Sequence, residues 1–478
     1  MAQAAGEVQL RPLIIGGREV TTAETREIRS PWDGKPVGAV PVVGQSEARA
    51  AIDAAAEGMK GPLPAFERAL VLERAASTLR DRREATARLL AQEIGKPVKQ
   101  ALVEVDRCVQ TLTFSSVEAR TLAGRGVPLD AHPSGVDRRG YTIRVPIGVV
   151  AAITPFNFPL NLAAHKVAPA IAAGCASVLK PASAAPLTAI ELVGILHESG
   201  LPREWLSVVT GPAGEIGDVF VADERVRMIT FTGSAEVGWE LAARAPRKRV
   251  KLELGNSTPL IVCADSDLDA AAEAAAVSGN SFAGQSCISV QRVLVDRRVH
   301  DEFLKRLTRT VERQRLGDPL DPETDLGPVI DDGARVRISE WIDEAVDAGA
   351  DQLTGGTDER GHLRPVVLDG IDTEVNAWKS EIFGPFLGVR AFTDLEDAID
   401  LANGTQYGLQ AGIFTRDLRT ALTATERLEF GGVTVNEAPT FRVDQMPYGG
   451  TKASGNTREG PHFAVREMTE ERMVVIRS

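Results

Sequence analysis

The sequence predicts an α/β protein built from two doubly wound parallel-sheet domains with a small β element added. Three observations predict it. The chain has 478 residues, too many for one ordinary hydrophobic core, so two or three domains are expected. Beyond Tyr141, short apolar runs alternate with segments of helical periodicity, the pattern of strands connected by helices. The chain then finishes on an apolar run, Met473-Val474-Val475-Ile476. Such a strand must pair somewhere, and a second subunit is a common solution.

Taken in order, residues 1–45 read as strand and turn, with Ile14-Ile15-Gly16-Gly17 and Pro31-Trp32-Asp33-Gly34 as turn signals. Residues 46–122 read as helical, because Leu72, Ala75, Ala76 and Leu79 recur at three and four. Gly95-Lys96-Pro97 breaks that region between two helices. Buried strands are expected at 149–153, 177–179, 206–209, 228–231 and 259–262. Helices are expected near 161–173, 186–199, 214–222 and 235–244, the last running into the strand-like Val250-Lys251-Leu252-Glu253. Ligands of such sheets bind outside the carboxyl ends of the strands. Asn157, Lys180, Ser234 and Glu253 fall at those ends. A second alternating stretch runs from Val290-Gln291-Arg292-Val293 to about residue 435 and predicts the second sheet.

A hydrophobic fraction of 43% and a charged fraction of 25% are those of a soluble globular protein. The net charge of −12 argues against a nucleic-acid or acidic-membrane partner. The cysteines Cys108, Cys175, Cys263 and Cys287 are scattered, with no CxxC pair. Neither a metal site nor a disulfide framework is expected, and a reducing cytoplasm fits. The first ten residues lack a leader pattern, and no apolar run is long enough to span a membrane.

Chemistry concentrates at two residues. Cys287, in Gly284-Gln285-Ser286-Cys287, follows a small polar loop that would leave the sulfur accessible. Backbone N–H groups of a turn starting there would lower its pKa. It reads either as a nucleophile or, like most lone cysteines, as a small buried hydrophobe. Glu253 reads as a catalytic carboxylate at a strand end or as a residue on a solvated face. Asn157, between Pro155 and Pro159, reads as a rigid oxyanion donor or as a turn asparagine. Lys180 reads as a ribose or phosphate ligand or as a surface lysine. Thr232-Gly233-Ser234 places a hydroxyl at a helix N-terminus, a ready phosphate site. The GxGxxG fingerprint is absent from every strand-to-helix turn, so a standard Rossmann reading lacks its own motif.

Taken together and in order, these segments resemble the NAD(P)-dependent aldehyde dehydrogenase superfamily over nearly the whole chain. The likeness also includes Pro146-Ile147-Gly148, Leu179-Lys180-Pro181-Ala182-Ser183, Glu381-Ile382-Phe383-Gly384-Pro385-Phe386 and Pro447-Tyr448-Gly449-Gly450. The resemblance implies that Cys287 attacks an aldehyde and that Asn157 and the Cys287 N–H hold the oxyanion. It implies that Glu253 activates water to release a thioester and that Glu459 assists proton relay. It implies NAD or NADP as cofactor, held by Thr154, Pro155, Lys180, Ser183, Gly217, Thr232, Gly233, Ser234, Glu381 and Phe383. It also implies a cofactor domain (1–124 and 146–252), a catalytic domain (253–435), and a bridging element (125–145 and 460–478) that makes homodimers or homotetramers.

The run Pro439-Thr440-Phe441-Arg442-Val443-Asp444 is similar to the branch of lactaldehyde, phosphonoacetaldehyde and non-phosphorylating glyceraldehyde-3-phosphate dehydrogenases. That implies an anionic aldehyde held by Arg107 and Arg442, with Phe158 and Ser286 beside it. Surface pairing of Arg107 with Glu104, and a loop contact for Arg442, are the plainer alternatives. Three residues depart from the family pattern. Asn256 and Thr457 replace usual glycines, and Ser183 replaces a glutamate that would repel a 2′-phosphate, which predicts tolerance of NADP. Rival expectations are a CoA-acylating enzyme and a catalytically weakened binding relative.

Overall fold

The computed structural model describes residues 8–477. Residues 1–7, within the stretch read for a leader, and Ser478 lie outside the described residues. The first unit is a five-stranded parallel sheet in the spatial order Arg249–Glu253, Val226–Thr232, Val149–Ile153, Ser177–Lys180, Leu206–Val208. The helices Gln45–Gly58, Ala65–Asp81, Arg83–Ile94 and Val98–Thr121 precede it. Gly95 ends the third of these in the left-handed region and Pro97 caps the fourth. The break therefore falls where a residue that tolerates positive φ meets one that cannot continue a helix.

Helix Pro159–Ala173 lies under this sheet, and every one of its residues is buried. Its run of alanines, leucine, valine and isoleucine explains that burial, and Gly174 ends it in the left-handed region. Its own N-cap residue, Phe158, has no side-chain acceptor. Glu104 supplies one from a neighbouring helix, accepting from the Leu160 and Asn161 N–H groups at 3.1 and 3.2 Å.

The second unit is a seven-stranded sheet in the order Asp351–Thr354, Val366–Asp369, Phe386–Phe392, Val290–Asp296, Thr258–Val262, Gln410–Phe414, Gly432–Val435. It departs from an all-parallel sheet at one edge, where Asp351–Thr354 runs antiparallel to its neighbour. An edge strand joined by a short connection can reverse, whereas the central strands, joined through helices, cannot. Thr258–Val262 continues the apolar run of the first unit's sequence but pairs in the second sheet. The link between the units is therefore the short segment after Glu253.

The terminal strand Thr469–Arg477 pairs antiparallel with Arg138–Pro146, and Gly126–Val127 lies on that strand's other side. Among the described residues 460–477, only this strand is β structure. Pro461–Glu467 is a helix packed against the helices Pro159–Ala173 and Val98–Thr121. No helix among the described residues is long and apolar enough to cross a membrane.

Candidate active site

Where the first sheet's carboxyl ends face the second sheet, the chain encloses a cavity of about 900 Å3. Cys287, Glu253, Asn157 and Glu459 all line it, with Pro155, Phe158, Thr232, Gly233, Ser234, Ser286, Glu381, Phe383, Arg107 and Arg442. Thr154, Lys180, Ser183 and Gly217 do not. Lys180 ends the neighbouring strand, and its carbonyl accepts from the Thr154 N–H at 3.1 Å. Ser183 is half-buried in the turn that follows, and Gly217 lies inside helix Ala213–Ala222.

The loop before Cys287 is strained. Phe282 and Ala283 both have left-handed backbones, with φ of 49° and 51°, a conformation that costs non-glycine residues of order 1–3 kcal/mol each. Gly284 follows at φ 70°, and a Cβ there would lie 1.9 Å from the Gly384 carbonyl oxygen. This close approach ties the Cys287 loop to the segment carrying Glu381 and Phe383.

The thiol departs from the sequence expectation. Burial pushes Cys287 up to about 12, against a lowering contribution from the Tyr448 hydroxyl, which lies 2.9 Å from Sγ. The expected lowering by backbone N–H groups is not among the leading influences on the sulfur, of which burial is the largest. Glu253 is buried rather than on a solvated face, with one carboxylate oxygen unpartnered. Burial, then the neighbouring Glu459, raises its pKa well above the usual range. Burial also opposes ionisation of Glu459. Lys166 and Arg442 outweigh it and hold that carboxyl low. The two adjacent carboxyls are thus pushed in opposite directions, the arrangement that separates acid and base roles.

Asn157 donates its amide to the Gln285 carbonyl at 3.0 Å and leaves its side-chain oxygen unpartnered. Its backbone carbonyl accepts from Lys96 at 2.7 Å. Lys96 is buried, paired with Glu104, and lies 3.7 Å from the centre of the Phe158 ring. The plainer alternative of an Arg107–Glu104 pair is therefore absent, since Lys96 pairs with Glu104. Arg107 instead grips Asp444 through Nε and Nη2 at 3.3 and 2.9 Å. Asp444 also receives Asn161 and His165 at 3.0 and 2.9 Å. Arg442 is buried, paired with Glu459 at 3.0 Å, and lies 3.7 Å from the centre of the Tyr448 ring.

The cofactor reading has structural support. Ser234 opens helix Ala235–Arg244 without spending its hydroxyl on the cap. The Thr154 and Thr232 hydroxyls are buried without partners. Glu381 is half-buried and accepts from the Asn256 N–H at 3.1 Å, and desolvation raises it to about 7. Its approach requires Gly255, where a Cβ would lie 2.3 Å from the carboxylate. Lys180 is buried rather than on the surface, and burial lowers it to about 8. Phe383 packs edge-on against Phe156, with ring centres 5.8 Å apart. These donors and hydroxyls suit a dinucleotide's phosphates and ribose hydroxyls.

Asn256 and Thr457 are each accommodated by hydrogen bonds of their own. Neither has a positive φ among the described residues. The Asn256 amide donates to Thr258 Oγ1 and the Gln410 carbonyl at 2.7 and 3.0 Å, while Thr457 donates to Glu467 at 2.8 Å. Sequence reasoning missed Tyr448, Lys96, Lys166 and His165 as site residues. The two charged or polar residues in the otherwise apolar run around His165-Lys166 were the available signal.

The profile of the aldehyde dehydrogenase family matches residues 19–474. A 3-sulfolactaldehyde dehydrogenase of Priestia aryabhattai is 40% identical over 470 residues, 98% of each chain. The structure of aldehyde dehydrogenase 21 from Physcomitrella patens, in complex with the reaction product succinate, superposes with a TM-score of 0.94 at 38% identity, covering 99% of both chains. That of the glyceraldehyde-3-phosphate dehydrogenase GapN from Methanocaldococcus jannaschii, complexed with NADP, gives 0.92 at 37% identity, covering 96% of this chain and all (100%) of the other. The chain belongs to the aldehyde dehydrogenase family, as an NAD(P)-dependent oxidoreductase acting on aldehydes.

Proposed function

We propose that this enzyme oxidises a small anionic aldehyde to its carboxylic acid through a covalent intermediate on Cys287. The observation that carries the reading is one cavity holding the Cys287 sulfur, the Glu253 carboxyl and the Asn157 amide. The Cys287 thiolate adds to the carbonyl carbon, and the free N–H of the Asn157 amide with the Cys287 N–H would stabilise the oxyanion. Ser234, Glu381 and Phe383 would hold a nicotinamide cofactor, which would accept the two electrons and the hydrogen lost when the thiohemiacetal becomes the thioester. Glu253, once deprotonated, takes a proton from water, which attacks the thioester, and the acid leaves with the thiolate restored. Glu459, kept ionised by Lys166 and Arg442, favours the protonated form of Glu253 and so makes it a stronger base.

The anionic class is supported by Arg107. Only its Nε and Nη2 face Asp444, and a guanidinium has five N–H donors, so donors remain for an anion in the cavity. Asp444 is held well below the usual carboxylate range, burial being outweighed by His165 and Arg107, so it fixes Arg107 as a rigid fork. Arg442, buried beneath Tyr448, serves as support for the site. Sulfolactaldehyde, succinate and glyceraldehyde 3-phosphate, named with the relatives, are all anionic.

The same reading assigns the first unit to the cofactor, the second to catalysis, and the small three-stranded sheet to a homodimer or homotetramer. That sheet exposes Tyr141, Ile143, Met473, Val475 and Ile476. It also assigns the enzyme to the cytoplasm.

The test is a panel of neutral, carboxylated, sulfonated and phosphorylated aldehydes with both cofactors. Arg107→Gln should raise KM for the acidic aldehydes roughly tenfold to a hundredfold, the range of a charge-assisted hydrogen bond, and spare neutral ones. Equal effects on both classes would sink the anionic assignment. Acyl-CoA in place of acid when CoA is added would sink the Glu253–water step. A preference for NAD of about a thousandfold, some 4 kcal/mol of discrimination, would count against the NADP tolerance read from Ser183.

A further inference from the structure

We propose that the Tyr448 hydroxyl is the hydrogen-bond donor that stabilises the Cys287 thiolate, and that Arg442, stacked on the phenol ring, strengthens that donor. The proposal rests on Cys287 being the nucleophile. The Tyr448 oxygen lies 2.9 Å from Sγ. A thiolate can only accept, so in the reactive state the phenol must be the donor. The Arg442 guanidinium carbon sits 3.7 Å from the ring centre. A cation over the π face draws electron density from the phenol oxygen and makes its O–H a better donor.

The geometry is fixed on both sides. Tyr448 and Glu459 exchange backbone hydrogen bonds at 3.1 and 2.5 Å, while Glu459 grips Arg442 at 3.0 Å. Tyr448, Arg442 and Glu459 therefore move as one unit. Among the ionisable groups acting on the sulfur, Glu253 and Glu381 oppose its ionisation, and Tyr448 and Arg442 favour it. Burial, then Cys287 and Glu253, keeps the phenol itself protonated well past its ordinary range, so it remains a donor at working pH.

The chain has 3 tyrosines, so uniform replacement by 3-fluorotyrosine, a more acidic phenol of nearly the same shape, perturbs few sites. The experiment follows iodoacetamide alkylation of Cys287 by peptide mass analysis from mildly acidic to alkaline pH. Tyr448→Phe should displace the rate profile by about one to two pH units toward alkali, slowing alkylation at neutral pH roughly tenfold to a hundredfold. Fluorotyrosine should displace it toward acid, and should do nothing in the Tyr448→Phe background. A disturbance of packing would slow both variants. Absence of opposite displacements therefore overturns the proposal. Alkylation reads the Tyr448–Cys287 coupling whether or not Cys287 carries turnover. A Cys287→Ala enzyme that still turns over would instead overturn the nucleophile assignment.

Discussion

On one bank of the cavity the charges are matched: Lys96 with Glu104, Arg107 with Asp444, and Lys166 and Arg442 with Glu459. On the other bank, polar atoms are left open. The Glu253, Asn157 and Thr232 side chains each have a buried oxygen without a partner, and Glu381 accepts a single N–H from Asn256. Each such vacancy costs folding energy of about 1–3 kcal/mol. The paired bank meets its charges in ion pairs that can hold it rigid, with Arg442 Nε and His165 Nδ1 left over. The comparison teaches that the buried ion pairs hold the frame, while the unsatisfied atoms mark where ligand, water and reacting groups meet the protein.

Five changes would break or sharpen that contrast, beginning with the largest effect. On the open bank, Cys287→Ala should abolish turnover. Glu253→Gln should keep the first, acylating burst of cofactor reduction while slowing acid release, by about a hundredfold or more for loss of a general base. Rapid-mixing kinetics separate the two phases, and a lost burst with Glu253→Gln would reassign Glu253 to the first step. On the paired bank, Lys96→Met strands Glu104 in the interior and should cost about 3–5 kcal/mol in denaturant unfolding. Adding Glu104→Gln should recover part of that. If it recovers nothing, Lys96 acts mainly through the Asn157 carbonyl.

Between the banks, Asn256→Gly restores the residue the family pattern favours, yet should destabilise the protein by roughly 1–3 kcal/mol. The amide bonds to Thr258 and Gln410 vanish, and no positive φ is relieved. A gain in melting temperature would contradict this. The smallest effect concerns Glu381. Its folded-state pKa is raised to about 7 by burial. Its favourable contribution is therefore full below the ordinary glutamate value and is lost as pH rises through about 7. In the cofactor-free protein, Glu381→Gln should gain on wild type in melting temperature between acid and neutral pH. A constant difference would mean Glu381 titrates alike in the folded and unfolded chain.

Much of the fold was legible. Strands 149–153, 177–179 and 228–231 are parallel-sheet strands buried on both faces, which read as continuous apolar runs, and the observed strands match them or extend them by a residue or two. The helix expected near 161–173 was found with its start two residues earlier, at Pro159, where proline's fixed φ suits the first turn. Less legible was the strand Thr258–Val262, because an apolar run does not say which sheet it joins. Lys96 and Lys166 were passed over for a related reason. Whether a lysine is solvated or buried depends on a carboxylate that is distant in sequence, and Lys166 meets Glu459 only through folding.

By itself, the sequence determined the succession of strands and helices, the chemical identities of Cys287, Glu253 and Asn157, and the family, since these are properties of local order and of ordered motifs. The tertiary structure decided their electrostatics. Burial raised the thiol that a local reading expected to be lowered, and folding seated Arg107 on Asp444 and set Tyr448 against the sulfur. The physical reason is that desolvation and charge pairing depend on distances across the fold. Groups more than a hundred residues apart meet there in a low-dielectric cavity where each changes the other's protonation.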